Sequence, residues 1–232
     1  VSGEKTFITS GMRADYLTVA VRTGGEGPGG VSMLLVEGDT PGLSRTKLKK
    51  MGWWASDTAT LHFDECRVPA ENLIGEEGKG FRYILSGMNA ERILIAAECI
   101  GDAKWFIAKA TNYAKERAVF GRPIGMNQGI QFPIAKAYAA MRAAELMVKE
   151  ATRKYEAGLD CGAEANMAKM LAADASWEAA NACVQTHGGF GFAEEYDVER
   201  KFRETRLYQV APISTNLILS YVAEHVLGLP RS

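Results

Sequence analysis

The residues of this chain with the types and spacing for chemistry are one carboxylate, one guanidinium with a ring close by, and a short run of glycines. Within GMNAERILIAAECIG, the residues Ile84, Met88, Glu91, Ile95 and Cys99 fall on one stripe at helical spacing, so Glu91 interrupts an otherwise apolar face. A carboxylate there is either partly desolvated, which raises its proton affinity as a general base requires, or satisfied by an arginine in a helix-surface pair. Further on, Arg117 in ERAVFG offers a bidentate fork to a phosphate and Phe120 a face for stacking. Gln128 opens the next helix, where free backbone N–H groups favour a phosphate or another polar ligand. In QTHGGFGF, Gly188, Gly189 and Gly191 let the chain pass close to a ligand with no Cβ in the way. Taken singly, each feature has a plainer reading: Arg117 as a surface ion pair with neighbours such as Glu116, and the glycines as a helix stop.

Two halves of different period must position these groups. Up to about Gly75, short runs rich in apolar, β-branched or aromatic residues (5–9, 16–21, 31–36 and 59–63) read as strands punctuated by glycine, proline and aspartate. The loop GGEGPGG, residues 24–30, separates two runs that can pair as a hairpin; it lacks the Lys-Ser/Thr ending of a phosphate cradle and no helix follows it. From about Glu76 the period becomes 3.6 and alanine becomes frequent, which predicts helices over 78–115, 128–157, 162–187 and 204–227. Met167, Met170, Leu171, Trp177 and Val184 recur at helical spacing in the third and read as bundle core. The expected fold class is α+β: a partial β-sheet domain over residues 1–75, then an antiparallel four-helix bundle over 76–232.

Composition narrows the function classes. The chain has 232 residues, enough for a sizeable core in one or two domains, and its 27 basic residues nearly balance 28 acidic ones. That balance gives no reason to expect nucleic acid or an anionic membrane as partner. No apolar run approaches the length of a membrane span, and Val1 begins directly in a strand-like pattern with no signal or transit peptide visible. Cys66, Cys99, Cys161 and Cys183 are far apart, with no C-x-x-C pair and no histidine at ligand spacing. They read as free buried thiols in a reducing compartment, and no metal is expected. His62, His187 and His225 have no carboxylate or second histidine at useful spacing; His187 is expected to shape a turn, the other two to pack or lie at the surface.

Three segments together carry more than their parts: KMGWWASDTATLHFDECRVPAENLIGEEGKGF at 50–81, ERAVFGRPIGMNQGIQ at 116–131 and QTHGGFGFAEEYDVERKFRE at 185–204. Their order and spacing resemble the acyl-CoA dehydrogenase family over nearly the whole chain. The third fits that family's C-terminal signature at Gln185, Gly188, Gly189, Gly191, Phe192, Glu195, Arg200 and Glu204. The resemblance implies a flavoenzyme with FAD whose flavin-holding loop and N-terminal helical domain lie upstream of Val1. The chain by itself is therefore expected to hold flavin weakly and to be inactive. It implies cofactor contacts from Phe7 and Thr9 in KTFITSG, from Arg117, Phe120, Gln128, Gln185, Gly188 and Gly189, and from Ser214 and Asn216. In the family the C-terminal elements serve the flavin of a neighbouring subunit, so a homo-oligomer, a tetramer, is expected.

The same resemblance assigns the catalytic base. Most members carry it as a glutamate in a short segment after the C-terminal signature, but the matching residue here is Pro212, and no carboxylate lies between Leu207 and Tyr221. The isovaleryl- and long-chain branches place their glutamate before an arginine in the helix opening the C-terminal domain, which matches Glu91 followed by Arg92, with Asn89 and Arg92 as substrate contacts. Pro212 also lacks the N–H that helps to hold the thioester oxygen. Either Ile213 supplies the donor after a one-residue shift, or a flavin ribityl hydroxyl does more of the polarising. The implied activity is oxidation of a branched or medium-to-long acyl-CoA to the enoyl-CoA, with electrons passed to an electron-transfer flavoprotein, in the cytoplasm or, in a eukaryote, the mitochondrial matrix. The alternatives are an oxidase that passes electrons to O₂ and a catalytically degenerate homologue acting in assembly.

Overall fold

The structure is a computed structural model and describes residues 1–231. It divides into two compact units, Val1–Gly87 and Met88–Ser232. In the first, β1 (Gly3–Thr9), β4 (Leu43–Lys47) and β5 (Thr58–Phe63) form an antiparallel sheet in the order β1-β5-β4. The strands β2 (Tyr16–Arg22) and β3 (Val31–Glu37) form a separate hairpin. The glycine-rich loop between them is the expected turn. Its carbonyls at Gly25 and Gly27 accept hydrogen bonds from Arg22 Nη1, so it is closed on its own cation and not arranged around a phosphate. Leu17, Val19, Val36, Ala59, Leu61, Phe63 and Cys66 form one core shared by the two sheets. The pattern of the sequence places these strands because alternate residues face that core. The strand β4 was not expected. Its sequence LSRTK carries a single large apolar residue; it pairs along one edge of β5, with Lys47 in water and the half-buried Arg45 donating to the carbonyls of Gly11, Ala14 and Gly38. His62 lies directly opposite Glu4 in the register, and its Nδ1 is 3.3 Å from that carboxylate, a partner that sequence spacing hid.

The second unit is helical. Its long elements are α1 (Gly80–Glu116), which begins in the first unit, α2 (Gln128–Glu156) and α3 (Gly162–His187). Ion pairs report their directions. Lys104 to Glu145 ties α1 to α2, while Lys136–Glu178 and Lys154–Glu164 tie α2 to α3 with residue numbers running oppositely, so α2 is antiparallel to α3. Between α1 and α2 a two-residue hairpin, β6 (Ala118–Val119) with β7 (Arg122–Pro123), makes the connection. The core holds Phe106, Ala103, Cys99, Ala137, Met141, Ala172 and Ala179, and burying a ring such as Phe106 contributes about 1.5–3 kcal/mol.

Two expectations for the helices need correction. The core face of α3 is its alanine face (Ala165, Ala168, Ala172, Ala175, Ala179 and Ala182), whereas Met167, Met170, Trp177 and Val184 are half-buried and Leu171 is exposed. Alanine allows neighbouring helix axes to approach closely, so the small residues take the interior and the large ones the flank. The single helix expected over 204–227 is not formed: α4 (Val198–Thr205) ends near its start, and a 3₁₀ turn at Arg206–Gln209, α5 (Thr215–Tyr221) and a π turn at Val222–Val226 follow. Pro212 accounts for the gap before α5, because it has no N–H for the carbonyl four residues back and its ring would clash with a helical turn there. The buried carboxylate Asp102 on α1 meets Lys201 on α4, and Trp177 packs on Phe202 with ring centroids 4.7 Å apart, which holds α4 on the bundle. Among the described residues no helix is long and apolar enough to cross a membrane. All four cysteines are buried, unpaired thiols.

Candidate active site

The stripe that carries Glu91 lies on α1 and runs from the surface into the bundle: Ile84 is exposed, Met88 and Ile95 are half-buried, and Cys99 is buried. Glu91 sits on its outer part. Its carboxylate is exposed, so the desolvation expected from the apolar stripe is not met within the chain, and it has no hydrogen bond or ion pair among the described residues. The arginine beside it does not satisfy it. Arg92 Nη1 donates to Asn89 Oδ1 at 3.0 Å, and its Nε is buried with no acceptor. Burial pushes the Arg92 guanidinium below its usual range, opposed by nearby Tyr221 and Glu91. Asn89 also lies beside the Cys161 thiol at the start of α3. The structure thus brings Asn89, Arg92 and Tyr221 together and leaves Glu91 available.

The segment after α4 is held from the opposite side. Lys169, fully buried on the alanine face of α3, donates from Nζ to the carbonyls of Tyr208 at 2.5 Å and Ile213 at 2.8 Å. Ala211 N–H is used by Leu207 O, Pro212 has none, and Ile213 N–H donates to nothing among the described residues. Ile213 is therefore the one free amide donor between residues 210 and 213. Ser214 is half-buried before α5, and Asn216 is exposed in its first turn. Lys169 was missed in the sequence, although a signal existed. It falls on the stripe Ala165, Lys169, Ala172, Ser176, where a cation among small residues must find acceptors inside the fold.

The phosphate-type residues form a second grouping. Phe120 and Gly121 are the two turn residues of the β6–β7 hairpin, with φ of 52° and 78°. A turn with both central residues at positive φ suits Asn-Gly, so an aromatic there is strained by about 1–3 kcal/mol. The Phe120 side chain is 100% exposed, so nothing within the chain offsets that strain. Arg117 opens the hairpin, exposed, with its guanidinium 5.8 Å from the ring centroid of Phe190 in the glycine turn. Gln128 is exposed at the start of α2, where Asn127 gives no side-chain cap to the free amides. At the end of α3, Gln185 is exposed, as are Gly188 and Gly189 in the 3₁₀ turn Gly188–Phe192. A Cβ on Gly189 would meet nothing within 4 Å, whereas one on Gly191 would stand 2.7 Å from Val184 O. Gly191 is thus required by packing, while the space over Gly189 is open to a ligand. His187 ends α3 just before this turn: it is buried, its Nδ1 lies 2.8 Å from Cys183 O one helical turn back, and burial pushes its pKa down.

In the first unit, Phe7 lies in an irregularity of β1, between the paired positions Lys5 and Ile8, with φ of 57° and 76% exposure. Thr9 is exposed two residues on, where β1 again pairs with β5. A bulge of this kind re-aims one side chain off the sheet, here an aromatic ring into solvent. Among the described residues no cluster of histidine, cysteine or carboxylates has the makings of a metal site.

Known proteins share this arrangement. The family model described as acyl-CoA dehydrogenase, middle domain, matches residues 1–66, and that described as acyl-CoA dehydrogenase, C-terminal domain, matches 78–227. An acyl-CoA dehydrogenase of Bacillus subtilis is 40% identical over 98% of this chain and 61% of its own length. The mitochondrial isobutyryl-CoA dehydrogenase of Bos taurus is 37% identical over 98% of this chain and 55% of its own. The crystal structure of a probable acyl-CoA dehydrogenase from Mycobacterium abscessus superposes with a TM-score of 0.95 and 39% identity, over 97% of this chain and 60% of that one. The chain thus spans about three fifths of the curated relatives it matches. On its sequence, its fold and the two domain models together, the chain belongs to the acyl-CoA dehydrogenase family.

Proposed function

We propose that the protein containing this chain oxidises an acyl-CoA thioester to its trans-2-enoyl-CoA with FAD, and that it passes the electrons to an electron-transfer flavoprotein. The observation that carries this reading is the Arg117–Phe120 hairpin. It combines a strained, fully exposed ring with an exposed guanidinium and lies beside the Gly188–Phe192 turn through the Arg117–Phe190 contact. This is a costly arrangement for a chain alone, and it fits the pyrophosphate and ring of a dinucleotide. Arg117, Phe120, Gln128, Gln185, Gly188 and Gly189 serve that group, with Phe7, Thr9, Ser214 and Asn216 as its further contacts. FAD, when bound, supplies the acceptor for the hydride leaving the β-carbon.

The remaining work falls to this chain's own residues. Glu91 takes the α-proton, and Ile213 N–H, the free donor beside Pro212, polarises the thioester carbonyl. Asn89 and Arg92 contact the substrate. The substrate is a branched or medium-to-long acyl-CoA; the name of the bovine relative, isobutyryl-CoA dehydrogenase, supports branching. Anaerobic titration of the full-length flavoprotein with a panel of acyl-CoAs tests the reading. Bleaching of the flavin by a branched acyl-CoA, with reoxidation by electron-transfer flavoprotein and not by O₂, is the expected result. A flavin that no acyl-CoA reduces would sink it, and rapid reoxidation by O₂ alone would identify an oxidase.

A further inference from the structure

Among the described residues Lys169 is the one fully buried lysine, and its two acceptors lie 39 and 44 residues along the chain, on either side of Pro212. The Tyr208 carbonyl is the one that a helix continued through this segment would pair with residue 212, and proline has no N–H to offer it. The ammonium takes the place of that donor. It also holds the Ile213 carbonyl, which lies on the far side of the same Cα from the free Ile213 N–H. Fixing two carbonyls from one rigid point sets the path of the short segment between them. We propose that Lys169 is a positioning residue that holds the Tyr208–Ile213 segment so that Ile213 N–H points at the thioester carbonyl; this rests on the reading of that amide given above.

The alternative is that Lys169 only satisfies these two carbonyls and so stabilises the bundle. The two roles differ in what they do to a bound substrate. Lys169→Met in the full-length flavoenzyme keeps most of the buried stem and removes the ammonium. The carbonyl stretch of a bound acyl-CoA labelled with carbon-13 at the thioester reports polarisation directly. The expected result is a band moved back toward its position in free thioester, a flavin-reduction rate lower by about ten- to a hundredfold, and a KM within about twofold of wild type. Propylammonium added to Lys169→Ala is expected to restore part of the rate. A variant with a lower melting temperature but a wild-type band and wild-type reduction rate per flavin overturns the inference. Should Lys169→Met not be recovered with flavin, Lys169→Arg, which keeps the charge but moves the donors, is measured in the same way, and an unchanged band and rate again overturn it. Glu91→Gln is the control, expected to slow reduction and leave the band in place. A wild-type band that matches free thioester would instead overturn the reading of Ile213 itself.

Discussion

His187 stacks on Tyr113, ring centroids 4.2 Å apart and planes inclined by 22°, and so ties the last turn of α3 to the last turns of α1. Both rings also meet Tyr196 edge-on, which places the Gly188–Phe192 turn and the Arg117 hairpin on one aromatic anchor. Because burial holds the imidazole below its usual value of 6.5, the unfolded chain binds this proton more readily than the folded one. The contribution of neutral His187 to stability is therefore complete above pH 6.5 and is lost as the pH falls from there through the lowered native value. Urea midpoints from pH 7.5 down to 5 are expected to fall less steeply for His187→Phe, which keeps a stacking ring but cannot titrate. Equal slopes in both proteins would show that His187 does not couple to folding.

Glu91→Gln in the full-length protein keeps the side-chain shape and removes the carboxylate proposed as the base. Flavin and acyl-CoA binding are expected to persist while flavin reduction slows by about two to four orders of magnitude. Glu98, seven residues along α1, is the comparison. Burial raises its proton affinity, with Asp102 adding to the effect and Lys201 opposing it, so it belongs to the polar cluster against α4. Stopped-flow reduction of Glu98→Gln near the wild-type rate, with Glu91→Gln slow, supports the assignment. The reverse order would move the base to Glu98.

The glycine turn separates packing from ligand contact. Gly191→Ala forces a Cβ onto Val184 O and is expected to destabilise the fold by about 1–3 kcal/mol, seen as a lower denaturation midpoint. Gly189→Ala meets open space, so stability should stay within about 0.5 kcal/mol of wild type while the full-length protein loses flavin on dialysis. Retention of stoichiometric flavin by Gly189→Ala would remove that glycine from the cofactor site.

Phe120 makes the same distinction at the hairpin. Relief of a positive φ in an exposed ring predicts that Phe120→Gly is no less stable than wild type, yet holds flavin less tightly. On the proposed reading the ring, which is fully exposed on its own chain, serves the flavin of a neighbouring subunit. Light scattering of the full-length protein is expected to report a homotetramer. A monomer that retains flavin would leave the exposed hairpin without its purpose.

Much of this was legible in the sequence because it depends on neighbours a few residues apart. The turn at residues 24–30 joins two alternating runs, and the starts of α2 at Gln128 and α3 at Gly162 follow from a change of period and from glycine and proline at the breaks. The signature around Gly188 names its family for the same local reason. Other features were decided only when distant segments met. Which face of α3 is interior depends on how closely α2 and α4 approach, and that favours alanine over the larger Met167 and Leu171. The strand β4 exists because the edge of β5 is there to pair with it. Pro212 signals a break, but the path of the chain after the break is set by Lys169, whose acceptors are remote in sequence and adjacent only in the folded bundle. A buried ammonium must be satisfied where it is buried, and only the tertiary structure shows which carbonyls are within its reach.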